Sequence, residues 1–114
     1  MNPFEVWGDG TQVRDFVYVD DVVDGLLCVL EKNPNAVPYN VATGEGTTIT
    51  ELVKTITNIY DYEPEFNYDT TKPIMIHKRL LDVSKINNDL GWSASHNLKS
   101  GLQKTIDWYR DNKW

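Results

Sequence analysis

Between Val13 and Leu30 the hydrophobic pattern changes period, and that change restricts the chain to folds in which a strand runs straight into a helix. From Val13 to Val19 the residues alternate, with Val13, Asp15, Val17 and Val19 on one side and Arg14, Phe16 and Tyr18 on the other. Their β-branched and aromatic content suits a pleated strand. Val22, Val23, Leu26, Leu27, Val29 and Leu30 then recur at helical spacing. Asp20 or Asp21 is placed to cap this helix, and Asn33-Pro34-Asn35 to stop it. The apolar stripe is wide, which predicts packing on two neighbours rather than one.

The rest of the chain repeats the alternation of short extended runs and amphipathic helices. Phe4 to Trp7 is an extended run, followed by a tight turn at Gly8-Asp9-Gly10-Thr11. Tyr39 to Ala42 is another, followed by a turn at Thr43-Gly44-Glu45-Gly46. Thr48 and Glu51 have the spacing of a capping box, opening a helix with Ile49, Leu52, Val53, Ile56 and Ile59 on its buried face. Glu63 to Tyr68 alternates weakly, as an edge strand would, and Thr70 to Lys78 reads as a loop around Pro73. Asp82 is expected to cap a short helix carrying Val83, Ile86 and Leu90, closed by Gly91. A last helix starts near Asn97 and carries Leu98, Leu102, Ile106 and Tyr109 on one face. The predicted fold class is α/β, a small domain of a few short strands and about four helices, and 114 residues fit a single domain, 1–114.

Charge and cysteine content exclude several function classes. Seventeen acidic against 11 basic residues give a net charge of −6, which suits neither nucleic acid nor an anionic membrane. No apolar run approaches the roughly 20 residues of a membrane span, and MNPFEVWGDG has no signal-peptide character. One cysteine permits no internal disulfide and points to a reducing compartment, the cytoplasm by default.

Few residues stand out for chemistry. His77 and His96 have no Cys or carboxylate at metal-ligand spacing, so no metal site is assigned. Cys28 lies in an apolar stripe and reads as a buried, inert thiol. Asp20-Asp21 is a carboxylate pair that helix capping also explains, and no Ser–His–Asp constellation is visible. The Thr43–Gly46 turn offers backbone N–H groups to an anion, yet it lacks the third glycine of a dinucleotide loop, and Glu45 would repel phosphate. Three arginines are present, Arg14, Arg79 and Arg110. Arg110 suits the C-terminal end of the last helix. Arg14 and Arg79 together suit a pyrophosphate clamp, or simply surface ion pairs. Trp7 suits stacking on a base or sugar, or the core.

Read as one segment, Val6-Trp7-Gly8-Asp9-Gly10-Thr11-Gln12-Val13-Arg14-Asp15-Phe16-Val17-Tyr18-Val19-Asp20-Asp21-Val22 strongly resembles the opening of the C-terminal part of the nucleotide-sugar epimerases, dehydratases and reductases of the extended short-chain dehydrogenase family. Tyr39 to Gly44, Lys72-Pro73, Lys78 to Lys85, Leu90-Gly91-Trp92, Gly101-Leu102 and Trp108-Tyr109 follow in the family's order. The spacing from Lys72-Pro73 to Arg79-Leu80-Leu81-Asp82 is most similar to the GDP-L-fucose synthase branch. The resemblance implies a Rossmann-type protein whose substrate-binding part this is, without the cofactor-binding sheet. By motif, Trp7 falls on a substrate-contacting Trp, Arg14 on an arginine that binds the diphosphate, and Arg79 on a basic residue that also binds phosphate. Where that branch has an Asp and a Gly before the basic pair, this chain has Ile74 and Met75.

The family's G-x-x-G-x-x-G fingerprint does not occur, and the Tyr-x-x-x-Lys spacing arises only at Tyr68–Lys72 and Tyr109–Lys113, outside its family setting. NAD(P) is therefore implied for the full-length family, while no catalytic, cofactor-binding or metal residue is assigned here. The resemblance implies binding of a nucleotide-diphosphate sugar, a GDP-sugar first, with a cofactor-domain partner or a homo-oligomer covering the wide stripe at Val22–Leu30. Two alternatives stay open: the substrate part of a UDP- or dTDP-sugar epimerase or dehydratase, and a non-catalytic protein-interaction remnant.

Overall fold

A computed structural model describes residues 2–33 and 35–112. Along the chain run β1 (Phe4–Trp7), β2 (Val13–Arg14), α1 (Val19–Lys32), β3 (Thr47–Thr48), α2 (Ile49–Ile59), β4 (Phe66–Asp69), α3 (Ser84–Leu90) and α4 (Leu98–Asp111). The α/β class and the four helices of the sequence reading are both found. The chain divides into two compact units, Met1–Arg14 with Gly46–Leu80, and Asp15–Glu45 with Leu81–Trp114.

The first unit holds all four strands. β1 pairs in parallel with β4, Phe4 opposite Phe66 and Trp7 opposite Asp69. The Phe4 and Phe66 rings meet edge to face, 6.0 Å between centroids. The weakly alternating Glu63–Tyr68 run thus becomes a strand at Phe66–Asp69. The Gly8–Thr11 turn forms as expected. Asp9 Oδ1 accepts from the Thr11 N–H and hydroxyl, and Gly10 sits at φ +79°, where a Cβ would run into the Thr50 hydroxyl and the Tyr68 ring.

β2 pairs antiparallel with β3 over two residues, and β3 leads into α2. The capping box is present. Thr48 Oγ1 accepts from Glu51 N at 3.1 Å, and Glu51 Oε2 accepts from Thr48 N at 2.8 Å. Thr48→Ala removes one of these bonds at an exposed helix end, so its stability in urea unfolding is expected to fall by about 1 kcal/mol. Along α2, Ile49, Leu52, Val53, Ile56 and Ile59 are half-buried, and the fully buried residue is Thr57, whose hydroxyl donates to Lys54 O.

The second unit holds α1, α3 and α4, and here two expectations are corrected. The strand expected over Val13–Val19 ends at Arg14, because β3 offers partners only to Val13 and Arg14. Neither Asp20 nor Asp21 caps α1. Tyr18 is the N-cap without a side-chain bond, and both aspartates lie in the first turn, where the helix dipole favours negative charge. At the other end Asn33 is the C-cap, while Pro34, read as part of the stop, lies outside the described residues.

α3 begins one residue later than predicted. Val83 is its N-cap, and Asp82, just before, accepts from Ser84 N at 2.9 Å. Gly91 closes it at φ +70° as expected. α4 starts after Asn97, whose side chain accepts from Ser100 N. The core of this unit centres on Ile86, Ile106 and Ala42. α1 turns Asp21 and Gly25 inward, and Gly25 lets Val41 and Trp92 approach so closely that a Cβ would stand 2.6 Å from Val41 Cγ1. The wide apolar stripe was expected to meet two neighbours. Instead Val23, Leu26, Leu27 and Leu30 are exposed, Leu30 by 79%. No described helix is long and apolar enough to cross a membrane.

Candidate functional site

The three residues carried over by resemblance, Trp7, Arg14 and Arg79, all lie in the first unit. Val13 brings the two arginines together. Its N–H donates to His77 O at 2.8 Å, and Arg79 N donates to Val13 O at 2.9 Å, so the Lys78 segment runs parallel beside β2. Arg14 follows Val13 on one segment and Arg79 follows Lys78 on the other.

The Arg14 guanidinium is partly committed to the backbone. Nη1 donates to Val13 O at 2.8 Å and to His77 O at 3.5 Å, and Nη2 donates to Ile76 O at 2.6 Å. A guanidinium has five N–H donors, so two remain for a ligand. Three carbonyls fix its plane, and a fixed plane is what bidentate phosphate binding needs. Arg79 is exposed and its side chain has no partner among the described residues. Lys78, beside it, is exposed too.

Trp7 ends β1 and is 56% exposed, so it is not core. Its Nε1–H donates to Glu5 Oε1 at 2.9 Å, and Lys72 Nζ stands 5.4 Å from the ring centroid. Lys72 was read only as part of a Lys-Pro motif. Its place over Trp7 depends on β1 and β4 lying side by side, which no local pattern reveals. The two residues that depart from the family pattern behave differently from each other. Ile74 is half-buried against Gly8, while Met75 is 93% exposed at φ +56°.

In the second unit, Thr43 and Gly44 of the predicted turn do hold an anion, and the anion is Asp15. Oδ1 accepts from Thr43 N at 3.0 Å and from Thr43 Oγ1 at 2.6 Å, and Oδ2 accepts from Gly44 N at 2.8 Å. These N–H groups, already engaged, offer nothing to a dinucleotide pyrophosphate. The residues described here do not fit NAD(P) binding at this turn.

The second unit also assembles a cluster that sequence spacing hid. Asp21 is 1% exposed, and it accepts from Ser95 Oγ at 2.8 Å, His96 N at 3.0 Å and His96 Nδ1 at 2.9 Å. An ionised carboxylate only accepts, so the His96 proton is on Nδ1. Burial alone pushes the Asp21 carboxyl up, but the bonds from His96 and Ser95 outweigh it and hold the group below its ordinary value. The sequence showed no Ser–His–Asp set, and the fold joins one across 75 positions. It is not a nucleophile arrangement. Catalysis needs the hydroxyl and the carboxylate on opposite imidazole nitrogens, and here Ser95 Oγ, 3.3 Å from Nδ1, shares the nitrogen that faces Asp21. Cys28 is half-buried and unpaired in a disulfide.

Comparison with known proteins agrees with this frame. The family model for the NAD dependent epimerase/dehydratase family matches residues 1–42. GDP-L-fucose synthase 1 of Arabidopsis thaliana is 35% identical over 107 residues, 94% of this chain and 33% of that protein. The UDP-glucose 4-epimerase of Thermotoga maritima, solved with UDP-glucose, superposes with a TM-score of 0.80 at 39% identity, over 96% of this chain and 35% of the epimerase. The chain is similar to members of the NAD dependent epimerase/dehydratase family along nearly its whole length. The family reading made from Val6 to Val22 is thereby borne out. A third relative, the dTDP-glucose 4,6-dehydratase of Bacillus anthracis in complex with NAD, gives a TM-score of 0.86 at 25% identity, over 98% of this chain and 36% of that one. The chain spans about a third of the length of the epimerase/dehydratase family members it matches.

Proposed function

We propose that residues 1–114 act as one substrate-binding domain that holds a nucleotide-diphosphate sugar, a GDP-sugar first, for an epimerase, dehydratase or reductase reaction completed by residues outside this sequence. The carrying observation is the pairing of Arg14 and Arg79 around Val13, with two unengaged N–H donors on Arg14 and a free guanidinium on Arg79. Together they offer two positive charges to a diphosphate, one of them preoriented. The exposed Trp7 face, with Lys72 over it, supplies a flat apolar wall for a ring. NAD(P) belongs to the full-length family reading, and no step is assigned to it here. The single cysteine supports a reducing, cytoplasmic setting.

Isothermal titration of the chain with GDP-, UDP- and dTDP-sugars at low salt tests this reading. Arg14→Ala is expected to weaken binding by about 1.5–3 kcal/mol, the worth of hydrogen bonds to a charged group. Arg79→Ala is the cleaner variant, since its side chain supports no described contact. It is expected to lose about tenfold in affinity with unchanged circular dichroism. Selectivity for UDP- or dTDP-sugar would move the chain to the other branch of the family. The interaction-remnant reading keeps one favouring observation, the exposed Met75 in the presumed ligand loop. Absence of binding to all three sugars would select it.

A further inference from the structure

We infer that the second unit binds a small organic cation of the alkylammonium class, in the cavity between the start of α1 and the second half of α4. The cavity holds about 460 Å³ and is lined by Tyr18, Val19, Asp20, Thr105 and Trp108. That volume lies in the usual range of small-molecule sites. All five residues belong to the second unit, and the diphosphate reading uses none of them.

Two walls are aromatic. Tyr18 is half-buried and held in place, with its ring centroid 4.8 Å from that of His96. Trp108 is 57% exposed, and among the described residues its ring has no aromatic or cationic partner. An indole face attracts a cation more strongly than any other aromatic side chain. The molecule already shows the contact on the other wall, where Lys104 Nζ stands 5.8 Å from the Tyr18 centroid. The third wall is a charge. Asp20 is exposed, and among the described residues it has no Lys or Arg ion partner. Its field reaches the aromatic wall, because burial first and the Asp20 carboxylate next push the Tyr18 phenol above its ordinary value.

These walls discriminate between ligand classes. An anion meets Asp20 and, one residue on, the ionised Asp21, with Asp24 in the next turn. A neutral apolar ligand would cover Trp108 and Val19, yet it would take the Asp20 carboxylate out of water without a counter-charge. An alkylated ammonium carries its charge inside an apolar shell and satisfies both kinds of wall. Two features oppose it, the partial positive charge of the α1 N-terminus and the Lys104 ammonium. Asp20 and Asp21 in the first turn offset the former, and Lys104 is not among the lining residues. The inference does not use the arginine pair and stands whether or not the chain binds a sugar nucleotide.

The test is an NMR titration of the chain with choline chloride, with sodium chloride at equal concentration and with the uncharged carbon analogue of choline. Choline is expected to give saturable shifts at the amides of Tyr18 to Asp20 and at the Trp108 indole N–H. The uncharged analogue is expected to bind about tenfold more weakly. Trp108→Ala and Asp20→Asn alter exposed side chains, so each is expected to keep its circular dichroism and to lose about tenfold in choline affinity. A peptide bearing trimethyllysine identifies the source of the cation. Tighter binding than choline places it on a partner protein, weaker binding makes it a free small molecule, and either result keeps the inference. No saturable shift, the same shifts with sodium chloride, equal affinity for the uncharged analogue, or full choline affinity in both variants would each overturn it.

Discussion

Asp21→Ala should cost the second unit about 3–5 kcal/mol, more than any surface change in this chain, and leave it largely unfolded at 37 °C. The substitution removes one small side chain, but three donors lose their acceptor at once: the Ser95 hydroxyl, the His96 backbone N–H and His96 Nδ1–H. Those donors belong to the segment that leads into α4, whereas Asp21 belongs to the first turn of α1. The carboxylate is thus the tie between two helices far apart in sequence. Urea unfolding followed by circular dichroism reads the loss. A change below 1 kcal/mol would mean that water replaces the carboxylate and that the tie is not structural.

The same group sets an acid limit. Because its folded value lies below the ordinary carboxylate value of about 3.9, its contribution is fully present above that unfolded value and is lost as pH falls through the lower folded one. Asp9, Asp69 and Asp82 are lowered in the same direction by the side-chain and backbone bonds of Thr11, Thr71 and Ser84. The difference between wild type and Asp21→Asn isolates the Asp21 share. Wild-type stability is expected to decline below about pH 4, and the variant, already weaker, is expected to decline less steeply. Parallel curves would count against the assignment.

What the sequence reveals here is what depends on neighbours along the chain. The Thr48–Glu51 box, the Gly91 stop and the Asn97 cap each close within a few residues, and each was found where the pattern placed it. The errors share one cause. Asp20-Asp21 looks like a cap because caps are local, but Asp21 turns inward to residues 74 and 75 positions away. Asp15 looks like one more residue of an alternating strand, but its carboxylate reaches Thr43 and Gly44. The Val22–Leu30 stripe was read as packing on two neighbours, and the structure instead leaves Val23, Leu26, Leu27 and Leu30 exposed. In the arginine pair, residue type and family motif raised Arg14 and Arg79 together, while their adjacency came only from the parallel bridge between Val13 and Lys78.

Asp15→Ala is expected to cost about 3 kcal/mol, and its pattern of damage should differ from that of Asp21. The carboxylate fills a concavity made by successive N–H groups at Thr43 and Gly44, with Gly44 at φ +76°. Such a nest favours negative charge whatever its source, so the protein supplies its own. Without Asp15, those N–H groups and the Thr43 hydroxyl face solvent, and the amides of Thr43 and Gly44 should lose exchange protection before α4 does. Formate or acetate at tens of millimolar is expected to restore part of the stability of Asp15→Ala and none of that of Asp21→Ala, whose site is closed. Asp15→Asn should fall between, because the amide keeps one accepting oxygen and turns a donor toward another donor. If Asp15→Ala retained full protection at Thr43 and Gly44, the turn would hold its shape by local geometry alone. The nest would then be free to take a ligand anion, the reading that Asp15 now excludes.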